Sequence, residues 1–303
     1  MGTLLAISSR WGSALAILMA GIVGNTVGAA NLLVTNTSDT GPGTLREAIS
    51  LSNSNGEPDT ITFNFGSLTI FNVLGPLPPL TEGSTTIDGG DIAVIDGAMI
   101  GNQGIGLVIN SADNIIENLM VINFPGDGIS LFGESATSNT IRGCRIGTDG
   151  TMARPNKRDG IRIGFGASFN LIGGTSAAER NIISGNGRNG VALSRDNNLS
   201  TSTRLNIISG NYIGTNAMGD EAIPNDESGI RIYGRATTNL VGGQEAGSGN
   251  LISGNREDGV RIEDGNTLDN ILQGNLIGTD AAGTSRLGNK FSGVSIGRGA
   301  ENN

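Results

Sequence analysis

The chain has 303 residues and a formal net charge of −9, with 16% charged and 4% aromatic residues. This acidic balance argues against a nucleic acid partner, because phosphate binding needs a concentrated positive field. The sequence contains no histidine, which removes imidazole catalysis and imidazole metal ligands. Its single cysteine, Cys144, excludes an intramolecular disulfide.

Residues 1–30 have the pattern of an export signal. Arg10 supplies a positive charge, residues 13–24 form a mostly apolar run, and Ala29 and Ala30 are small residues suited to signal peptidase. The run is short for a membrane span. We therefore expect a cleaved signal peptide, no membrane insertion afterwards and a secreted or cell-surface location. An uncleaved anchor and a misassigned translation start are the alternatives.

Residues 31–100 are predicted to form an N-terminal cap and the first coils of a solenoid. Thr44 is placed to cap a short helix, and Glu47 follows three residues later, as in a capping box. The apolar side of this helix is formed by Leu45, Ala48 and Ile49, with Leu51 as a further candidate. We expect the helix to cover the open first coil.

Residues 101–303 are predicted to form the coils of a parallel β-helix. A glycine, a branched apolar residue, a variable residue and a second apolar residue recur together, and this alternation predicts a strand with one buried face. The phrase begins at Gly128, Gly160, Gly190, Gly229, Gly259 and Gly293. Successive starts are 32, 30, 39, 30 and 34 residues apart. This spacing suits one coil of three short strands joined by Gly and Asn corners.

A longer period relates pairs of coils. The letters IGT begin at Ile146, Ile213 and Ile277, whereas IGG begins at Ile172 and VGG at Val241. A long loop follows each IGT, and a shorter loop follows IGG and VGG. We expect the loops after IGT to project in a row along one edge of the solenoid.

Asparagine recurs at the corners, as at Asn186, Asn211, Asn255 and Asn275. Buried amides satisfy the backbone groups of neighbouring coils, so we expect internal asparagine ladders. Cys144 occupies a similar position and has no base near it in the sequence. It is therefore predicted to be a small turn residue rather than a nucleophile.

The C-terminal residues indicate an interrupted coil. The letters IGFGASFN from Ile163 align with IGRGAENN from Ile296, and the first copy continues into LIGG, whereas the second stops at Asn303. We therefore expect the repeats to be truncated mid-coil and the chain to be the first part of a longer protein.

A resemblance to a known group of proteins rests on the entry segment and on the repeats. The entry segment follows the pattern V-x-N-x-x-D-x-G-x-G-[ST]-L-R-x-A-I, then an Asn-rich stretch and D-x-I-x-F. The matching residues are Val34, Asn36, Asp39, Gly41, Gly43, Thr44, Leu45, Arg46, Ala48, Ile49, Asp59, Ile61 and Phe63. It resembles the entry segment of secreted bacterial β-helix proteins, and the GIRI, NLIGG and NxISGN phrases resemble the pectate-lyase-like repeat. The resemblance implies an all-β, right-handed, single-stranded parallel β-helix.

The resembled fold does not name a function by itself. It is shared by polysaccharide lyases, glycoside hydrolases, epimerases, phage tailspikes and adhesins. Because the chain has no histidine, it lacks the Gly-His-Gly segment of the polygalacturonase-like hydrolases.

The outward residues of the repeated phrase form the candidate site. Arg162, Arg231 and Arg261 occupy its variable position and should face out in one row, while Asp159 and Asp258 directly precede its glycine. We expect these five residues to bind an acidic polysaccharide or the extracellular matrix. The resemblance implies an alternative in which the three arginines are catalytic, since lyases of this fold use an Arg or Lys base with calcium held by carboxylates. A simpler alternative treats the aspartates as turn residues and the arginines as partners in surface ion pairs, each worth under ~1 kcal/mol.

The acidic residues of the IGT loops raise the question of calcium, which prefers several converging oxygen ligands. The combinations are Asp149 with Asn156, Asp220 with Asn225 and Asp226, and Asp280 with Asn289. Their spacing matches no EF-hand or nonapeptide repeat. No cofactor and no metal site is therefore predicted, with calcium left open.

Three functions remain open at this point. The leading prediction is a secreted or cell-surface, non-enzymatic stalk or adhesive segment whose arginine row contacts glycans. The alternative is a polysaccharide-active enzyme, lyase- or epimerase-like, that acts on acidic glycans. The third is an architectural spacer with no ligand.

Overall fold

The computed structural model describes residues 30–54, 56–101, 104–194 and 201–303. The predicted export signal lies outside the described residues, apart from Ala30, which begins the first strand. The described chain is almost entirely β-structure, with one α-helix of eight residues. This helix is too short to cross a membrane, and no other described segment forms a membrane-spanning helix.

The helix α1 spans Leu45–Ser52, and a 3₁₀ helix spans Ala177–Glu179. The strands are β1 (Ala30–Val34), β2 (Asp59–Phe63), β3 (Thr69–Asn72), β4 (Thr86–Asp96), β5 (Leu107–Ile109), β6 (Ile115–Ile122), β7 (Ile129–Phe132), β8 (Thr140–Arg142), β9 (Arg145–Ile146), β10 (Ile161–Gly164), β11 (Leu171–Gly173), β12 (Ile182–Ile183), β13 (Val191–Ser194), β14 (Ile207–Ser209), β15 (Tyr212–Ile213), β16 (Ile230–Tyr233), β17 (Leu240–Gly242), β18 (Leu251–Ile252), β19 (Val260–Ile262), β20 (Ile271–Gln273), β21 (Leu276–Ile277) and β22 (Val294–Ile296).

These strands pair in parallel and form two sheets. The first sheet has seven strands in the order β5, β7, β10, β13, β16, β19 and β22, and the last six are the copies of the glycine phrase. The second sheet has fifteen strands and contains two rows, one from β8 to β20 and one from β9 to β21. The long strand β6 joins the rows because it pairs with both β8 and β9. Each coil therefore gives three strands, and the chain is a right-handed parallel β-helix, as predicted.

Equivalent apolar residues of successive coils stack inside the solenoid. Ile161 pairs with Ile129 on one side and with Val191 on the other, and all three are fully buried. Ile183 pairs in the same way with buried Ile146. Each coil contacts mainly the coils directly above and below it, so the stability of the repeats is close to a sum of nearest-neighbour contributions.

An asparagine ladder runs along each of the three corners. Each amide donates from Nδ2 to the Oδ1 of the next asparagine, and that Oδ1 commonly also accepts the backbone N–H of the earlier asparagine. The ladders are Asn114, Asn139, Asn170, Asn206, Asn239, Asn270 and Asn303; Asn181, Asn211, Asn250 and Asn275; and Asn156, Asn186, Asn225, Asn255 and Asn289. The predicted ladder positions are confirmed.

Cys144 occupies the position of a ladder asparagine in its coil. It is fully buried, and its backbone N–H donates to Oδ1 of Asn181 at 2.9 Å. Burial raises the pKa of the Cys144 thiol to about 12, with smaller contributions from nearby carboxylates. The thiol is therefore protonated at neutral pH, which agrees with a structural role in the corner.

The two kinds of loop leave the solenoid at different corners. The loops after IGT stack directly, because Ala217 N donates to Gly150 O at 2.9 Å and Ala281 N donates to Gly219 O at 2.8 Å. The predicted row of projections is therefore present. The shorter loops after IGG and VGG stand on the other side of the strands β9, β12, β15, β18 and β21. We call this row of strands, bordered by loops on both sides, the loop-flanked strip.

Helix α1 packs its apolar side onto the first coils. Thr44 Oγ1 accepts the N–H of Glu47 at 3.2 Å, while the Glu47 carboxylate accepts the N–H of Gly43 at 2.6 Å. Leu45, Ala48 and Ile49 are buried, as predicted. Leu51 is 48% exposed, so the buried side continues through Ser52, whose hydroxyl bonds that of Thr85.

Candidate functional site

The seven-stranded sheet carries the predicted arginine row on its outer surface. In the register of the strands, Arg162 pairs with Ser130 and Ala192. Arg231 pairs with Ala192 on one side and with Arg261 on the other. The apolar residues that flank these positions are buried in the core, so the row faces out. We call this outer surface the arginine face.

At one end of the arginine face, Glu263 lies among three guanidinium groups. Its Oε1 accepts from Nε of Arg231 at 2.9 Å, and its Oε2 accepts from Nε of Arg261 at 2.9 Å. Arg298 approaches the same carboxylate at 3.4 Å. The side chain of Glu263 is only 2% exposed, so these ion pairs are shielded from water on the carboxylate side.

Two further glutamates flank the same arginines. Glu227 lies 3.7 Å from Nη1 of Arg231, and Glu257 lies 3.4 Å from Nη1 of Arg261. Together with Glu263, these two residues make three glutamates. They face three arginines, which are Arg231, Arg261 and Arg298, so the net charge of this group of six is zero. We call this part of the face the neutralised end.

The ion pairs at the neutralised end fix the charge states of their members. Burial opposes ionisation of Glu263, but the hydrogen bond from Arg231 and the charges of Arg231, Arg261 and Arg298 outweigh it and hold its pKa below the ordinary value. Burial also opposes the charge on Arg231, yet its pKa is raised by Glu263. Arg231 and Arg261 are thus occupied by carboxylates of their own chain.

The sequence analysis missed Glu263, although a signal for it was present. Glu263 stands two residues after Arg261 in the same strand register, where the coil of Arg162 has Gly164. Residues two apart in a strand face the same side. Aligning the position after each phrase would have placed a carboxylate beside Arg261.

The predicted aspartates lie beneath the arginine face, in the corner that precedes it. Asp159 Oδ1 accepts from both N and Nδ2 of Asn189, at 3.1 and 2.9 Å. Asp258 Oδ1 accepts from N of Ser292 at 2.9 Å. Both aspartates are at most 5% exposed. Their hydrogen bonds therefore join adjacent coils within the corner, separately from the three asparagine ladders, and the structure does not bring them onto the outer surface with the arginines.

Asp159 and Asp127 form a buried acidic pair in adjacent coils. Asp127 Oδ1 accepts the N–H of Asp159 at 3.1 Å, and both residues are 2% exposed. Burial raises the pKa of Asp159, and the charge of Asp127 raises it further. Hydrogen bonds from Asn189 and the charge of Arg162 act in the opposite direction without cancelling the effect.

The other end of the arginine face is cationic. The position four residues before Arg231, and that before Arg261, is a glutamate. The same position is Arg158 in the coil of Arg162, and it is Arg188 in the next coil. The N–H of Arg188 donates to the carbonyl of Arg158 at 3.1 Å, so these two residues lie on adjacent coils. Within the described ranges, Arg158, Arg162 and Arg188 form no ion pair. We call these three residues the cationic end.

Arg162 has an unusual environment within the cationic end. Its guanidinium carbon lies 5.9 Å from the centroid of the Phe132 ring, which packs edge-on against Phe165 at 5.1 Å. Its Nε is buried, and no described residue accepts a hydrogen bond from it. A buried donor without an acceptor costs about 1–3 kcal/mol.

The candidate calcium ligands are engaged in turns and ladders, except Asp226, which forms an ion pair with Arg256. Asp149 accepts the N–H groups of Thr151 and Met152, each at 2.9 Å. Burial opposes its ionisation, but these bonds and that from Arg154 outweigh it and lower its pKa to about 2. Its predicted companion Asn156 is a ladder residue. In the part of the chain that the structure describes, no three acidic or cysteine residues converge as a metal site. The prediction of no cofactor, with calcium left open, stays untested.

Comparisons with known proteins give similarity to solved structures only. No protein-family model matches the chain, and no curated protein matches its sequence. A mutant of the periplasmic alginate epimerase AlgG is 18% identical, with a TM-score of 0.47, over 73% of this chain and 44% of the epimerase. The chain thus spans less than half of that structure.

Two further solved structures are similar over most of the chain. Jun a 1, the major allergen from cedar pollen, is 15% identical with a TM-score of 0.45, over 90% of this chain and 79% of the allergen. The A-module of the Azotobacter vinelandii mannuronan C-5 epimerase AlgE4 is 12% identical with a TM-score of 0.46, over 84% of this chain and 79% of the module. The β-helix assignment rests on the strand pairing described above.

Proposed function

We propose that the protein is a secreted β-helix that binds an acidic polysaccharide at the cationic end without cleaving it. The observation that carries this proposal is the set of three arginines, Arg158, Arg162 and Arg188, that form no ion pair with any described residue. Two of them lie on adjacent coils. An anionic ligand would relieve the repulsion between their charges and accept hydrogen bonds from their guanidinium groups.

The surroundings of Arg162 suit a polymer of charged sugars. A guanidinium group offers paired N–H donors to a carboxylate or a sulfate. The Phe132 ring beside it provides an apolar surface for the face of a sugar ring. Arg158 and Arg188 lie on adjacent coils, ~4.8 Å apart, so a repeating ligand laid along the solenoid would meet a cation on each of these two coils.

The overall charge restricts where such a polymer binds. The chain carries a net charge of −9, so its long-range field repels an acidic polymer. The neutralised end offers no net positive charge, because its three arginines face three glutamates. Binding at the cationic end therefore depends on short-range ion pairs and should weaken as salt concentration rises.

One observation favours the enzymatic alternative. Asp159, whose pKa is raised, follows Arg158 directly and lies close enough to Arg162 to sense its charge. A protonated carboxyl beside an arginine can act as an acid–base pair. Asp159 is 2% exposed, however, and its Oδ1 is held by Asn189, so it does not reach a substrate on the outer surface. This geometry supports binding over cleavage.

The test is a titration of the protein with polygalacturonate, alginate and neutral dextran by isothermal calorimetry at low salt. We expect affinity for the acidic polymers and none for dextran. Arg162→Ala should weaken binding at least tenfold, and alanine is already present in the same row at position 192. Arg256→Ala is the matched control, because Arg256 is 63% exposed and paired with Asp226.

Equal affinities for the two variants, or no affinity for any acidic polymer, would contradict the proposal. The same mixtures, with and without calcium, are followed by absorbance for new unsaturated ends. A steady rise that disappears in Arg162→Ala would replace the binding function by a lyase activity.

A further inference from the structure

A second candidate site lies on the loop-flanked strip, away from the arginine face. The outward residues of this strip form one row in the register of its strands, in which Arg145 pairs with Met120 and Ile182. The remaining members of the row are Tyr212, Leu251 and Leu276. Arg145 is thus the only cation in a described row that is otherwise apolar or aromatic.

Arg180 is a second departure from the repeat. It directly precedes the ladder residue Asn181, and this position is glycine in the other coils of the ladder, at Gly143, Gly210, Gly249 and Gly274. Arg180 and Gly249 are strictly equivalent, because both end a loop after IGG or VGG, 69 residues apart. Two arginines have therefore replaced the residues that the repeat itself uses.

Both arginines line one cleft between the two rows of loops. The cleft has a volume of about 280 Å³, and small residues on its walls, including Ala177, Ala178 and Ala217, leave it open to solvent on one side. The space thus depends on the loops, and the charge depends on the two arginines.

The guanidinium groups in the cleft lack partners of opposite charge. Neither Arg145 nor Arg180 forms an ion pair with any described residue, and Asp91 is the only acidic residue on the described walls. Arg180 stacks on the Tyr212 ring at 4.1 Å, which holds its plane in place. Its Nε is buried and has no acceptor among the described residues. The described walls of the cleft thus carry two guanidinium groups and one carboxylate, and Glu117 and Asp88 are close enough to act on Cys144 in the same wall.

We propose that this cleft binds the anionic group of a small molecule or of a chain end, a carboxylate or a phosphate carried on a unit about the size of a monosaccharide. A guanidinium group that is fixed by stacking loses little conformational entropy when it binds an anionic group. The partly enclosed position strengthens the ion pairs relative to the open surface. The site is independent of the acidic polysaccharide proposed for the arginine face, because the two surfaces share no residue.

The experiment uses substitutions that the repeat already contains. Arg180→Gly restores the residue of Gly249, and Arg145→Leu restores the residue found at Leu276, so both variants should fold. Circular dichroism and melting temperature check this directly. Binding of galacturonate, inorganic phosphate and uncharged galactose is measured by calorimetry for the wild type, both variants and the control Arg256→Ala.

We expect at least one of the two anions to bind the wild type saturably, galactose not to bind, and both cleft variants to lose at least tenfold in affinity. Arg256→Ala should bind like the wild type, because Arg256 is exposed, paired with Asp226 and outside both proposed sites. Galacturonate binding alone would identify a carboxylate site, and phosphate binding alone a phosphate site. No saturable binding of either anion, or unchanged affinity in folded Arg180→Gly and Arg145→Leu, would overturn the proposal.

Discussion

The cationic end and the neutralised end of the arginine face are built on the same repeated phrase. Arg162 and Arg231 both follow a glycine and an isoleucine, and both stand in one row of the seven-stranded sheet. They differ in their neighbours. The position four residues before Arg231 is Glu227, whereas the position four residues before Arg162 is Arg158.

This difference shows that different residues determine where an arginine stands and whether its charge is available to a ligand. The phrase determines where an arginine stands, because it sets the strand register. Positions just outside the phrase determine whether its charge is available. A carboxylate at Glu263 occupies two arginines at once, whereas Gly164 at the matching position gives Arg162 no such partner, and no other described residue forms an ion pair with it. A solenoid can thus change its binding surface coil by coil while the frame stays the same.

Substitutions in the asparagine ladder under the two ends should destabilise the protein equally. Asn186 lies under the cationic end and Asn225 under the neutralised end, and both are fully buried ladder residues. Replacing either by alanine leaves several buried donors and acceptors unpaired, so we expect a loss of about 3 kcal/mol or more of unfolding free energy. Urea denaturation measures both variants. A difference between them greater than ~1 kcal/mol would show that the frame, and not only the surface, differs between the ends.

The buried carboxylate of the neutralised end should give the next largest effect. Glu263→Gln keeps the shape but removes the charge that faces Arg231, Arg261 and Arg298. Because these arginines stay partly exposed, we expect the free energy of unfolding to fall by about 2 kcal/mol. This is less than the roughly 3–5 kcal/mol lost when a fully buried ion pair is broken.

The acid dependence of Glu263 provides an internal check on that variant. The folded-state pKa of Glu263 lies below its ordinary value of 4.5, so its contribution is complete above pH 4.5 and is lost as the pH falls below it. The stability difference between wild type and Glu263→Gln should therefore shrink in acid. A difference that stays constant from about pH 7 to about pH 3 would show that the ion pairs are not its cause.

At the cationic end, Asp159→Asn should stabilise the protein at neutral pH. Asparagine occupies the equivalent corner position in the next coil, at Asn189, and its Oδ1 can accept the same hydrogen bonds. The substitution removes the burial of charge and the repulsion from Asp127, so we expect a gain on the order of 1 kcal/mol in unfolding free energy.

The sign of the pH dependence follows from the raised pKa of Asp159. The folded state holds this proton more tightly than the unfolded state, so wild-type stability rises as the pH falls through the folded-state pKa toward 3.8. The advantage of the asparagine variant should therefore be largest near neutral pH and disappear once the pH falls below 3.8. Thermal melts at several pH values measure it, and a variant that is less stable than wild type at neutral pH would contradict the expectation.

Local patterns were sufficient to predict the frame. Alternating apolar residues predicted the strands, recurrent asparagines predicted the ladders, and the position of IGT predicted the row of loops. These features depend on residues close in sequence or repeated at one period, which a single chain displays directly. Leu51 was harder to place, because the end of a short helix depends on the coil beneath it and Ser52 takes the buried position instead.

The site was only partly predictable. The row of Arg162, Arg231 and Arg261 followed from strand alternation, but their partners required a comparison of flanking positions across coils. The burial of Asp159 and Asp258 required knowledge of the corner, where a carboxylate can replace a ladder amide. The cleft at Arg145 and Arg180 was not anticipated, because the two residues lie 35 positions apart and meet only when loops enclose them.

Reciprocal charge changes should interconvert the two ends with the smallest effect on stability. Arg158→Glu gives Arg162 the partner that Arg231 already has, and Glu257→Arg removes one from Arg261. Each position is on the surface, so we expect less than about 0.5 kcal/mol of change in unfolding free energy. Affinity for polygalacturonate should fall at least tenfold in Arg158→Glu and rise in Glu257→Arg, with a steeper dependence on salt in the second variant.

The pair of variants separates the effect of local charge from the effects of sheet shape and total charge. If the cationic end binds through its unpaired guanidinium groups, a single carboxylate four residues from Arg162 is enough to occupy one of them, as Glu227 does for Arg231. If the polymer instead recognises the shape of the sheet, both variants should keep the wild-type affinity. If only the total charge of the chain matters, Arg158→Glu and a charge reversal at the distant, paired Arg256 should weaken binding equally. A loss confined to Arg158→Glu therefore identifies the coil-specific neighbours as the feature that makes one end of a uniform solenoid available to a ligand.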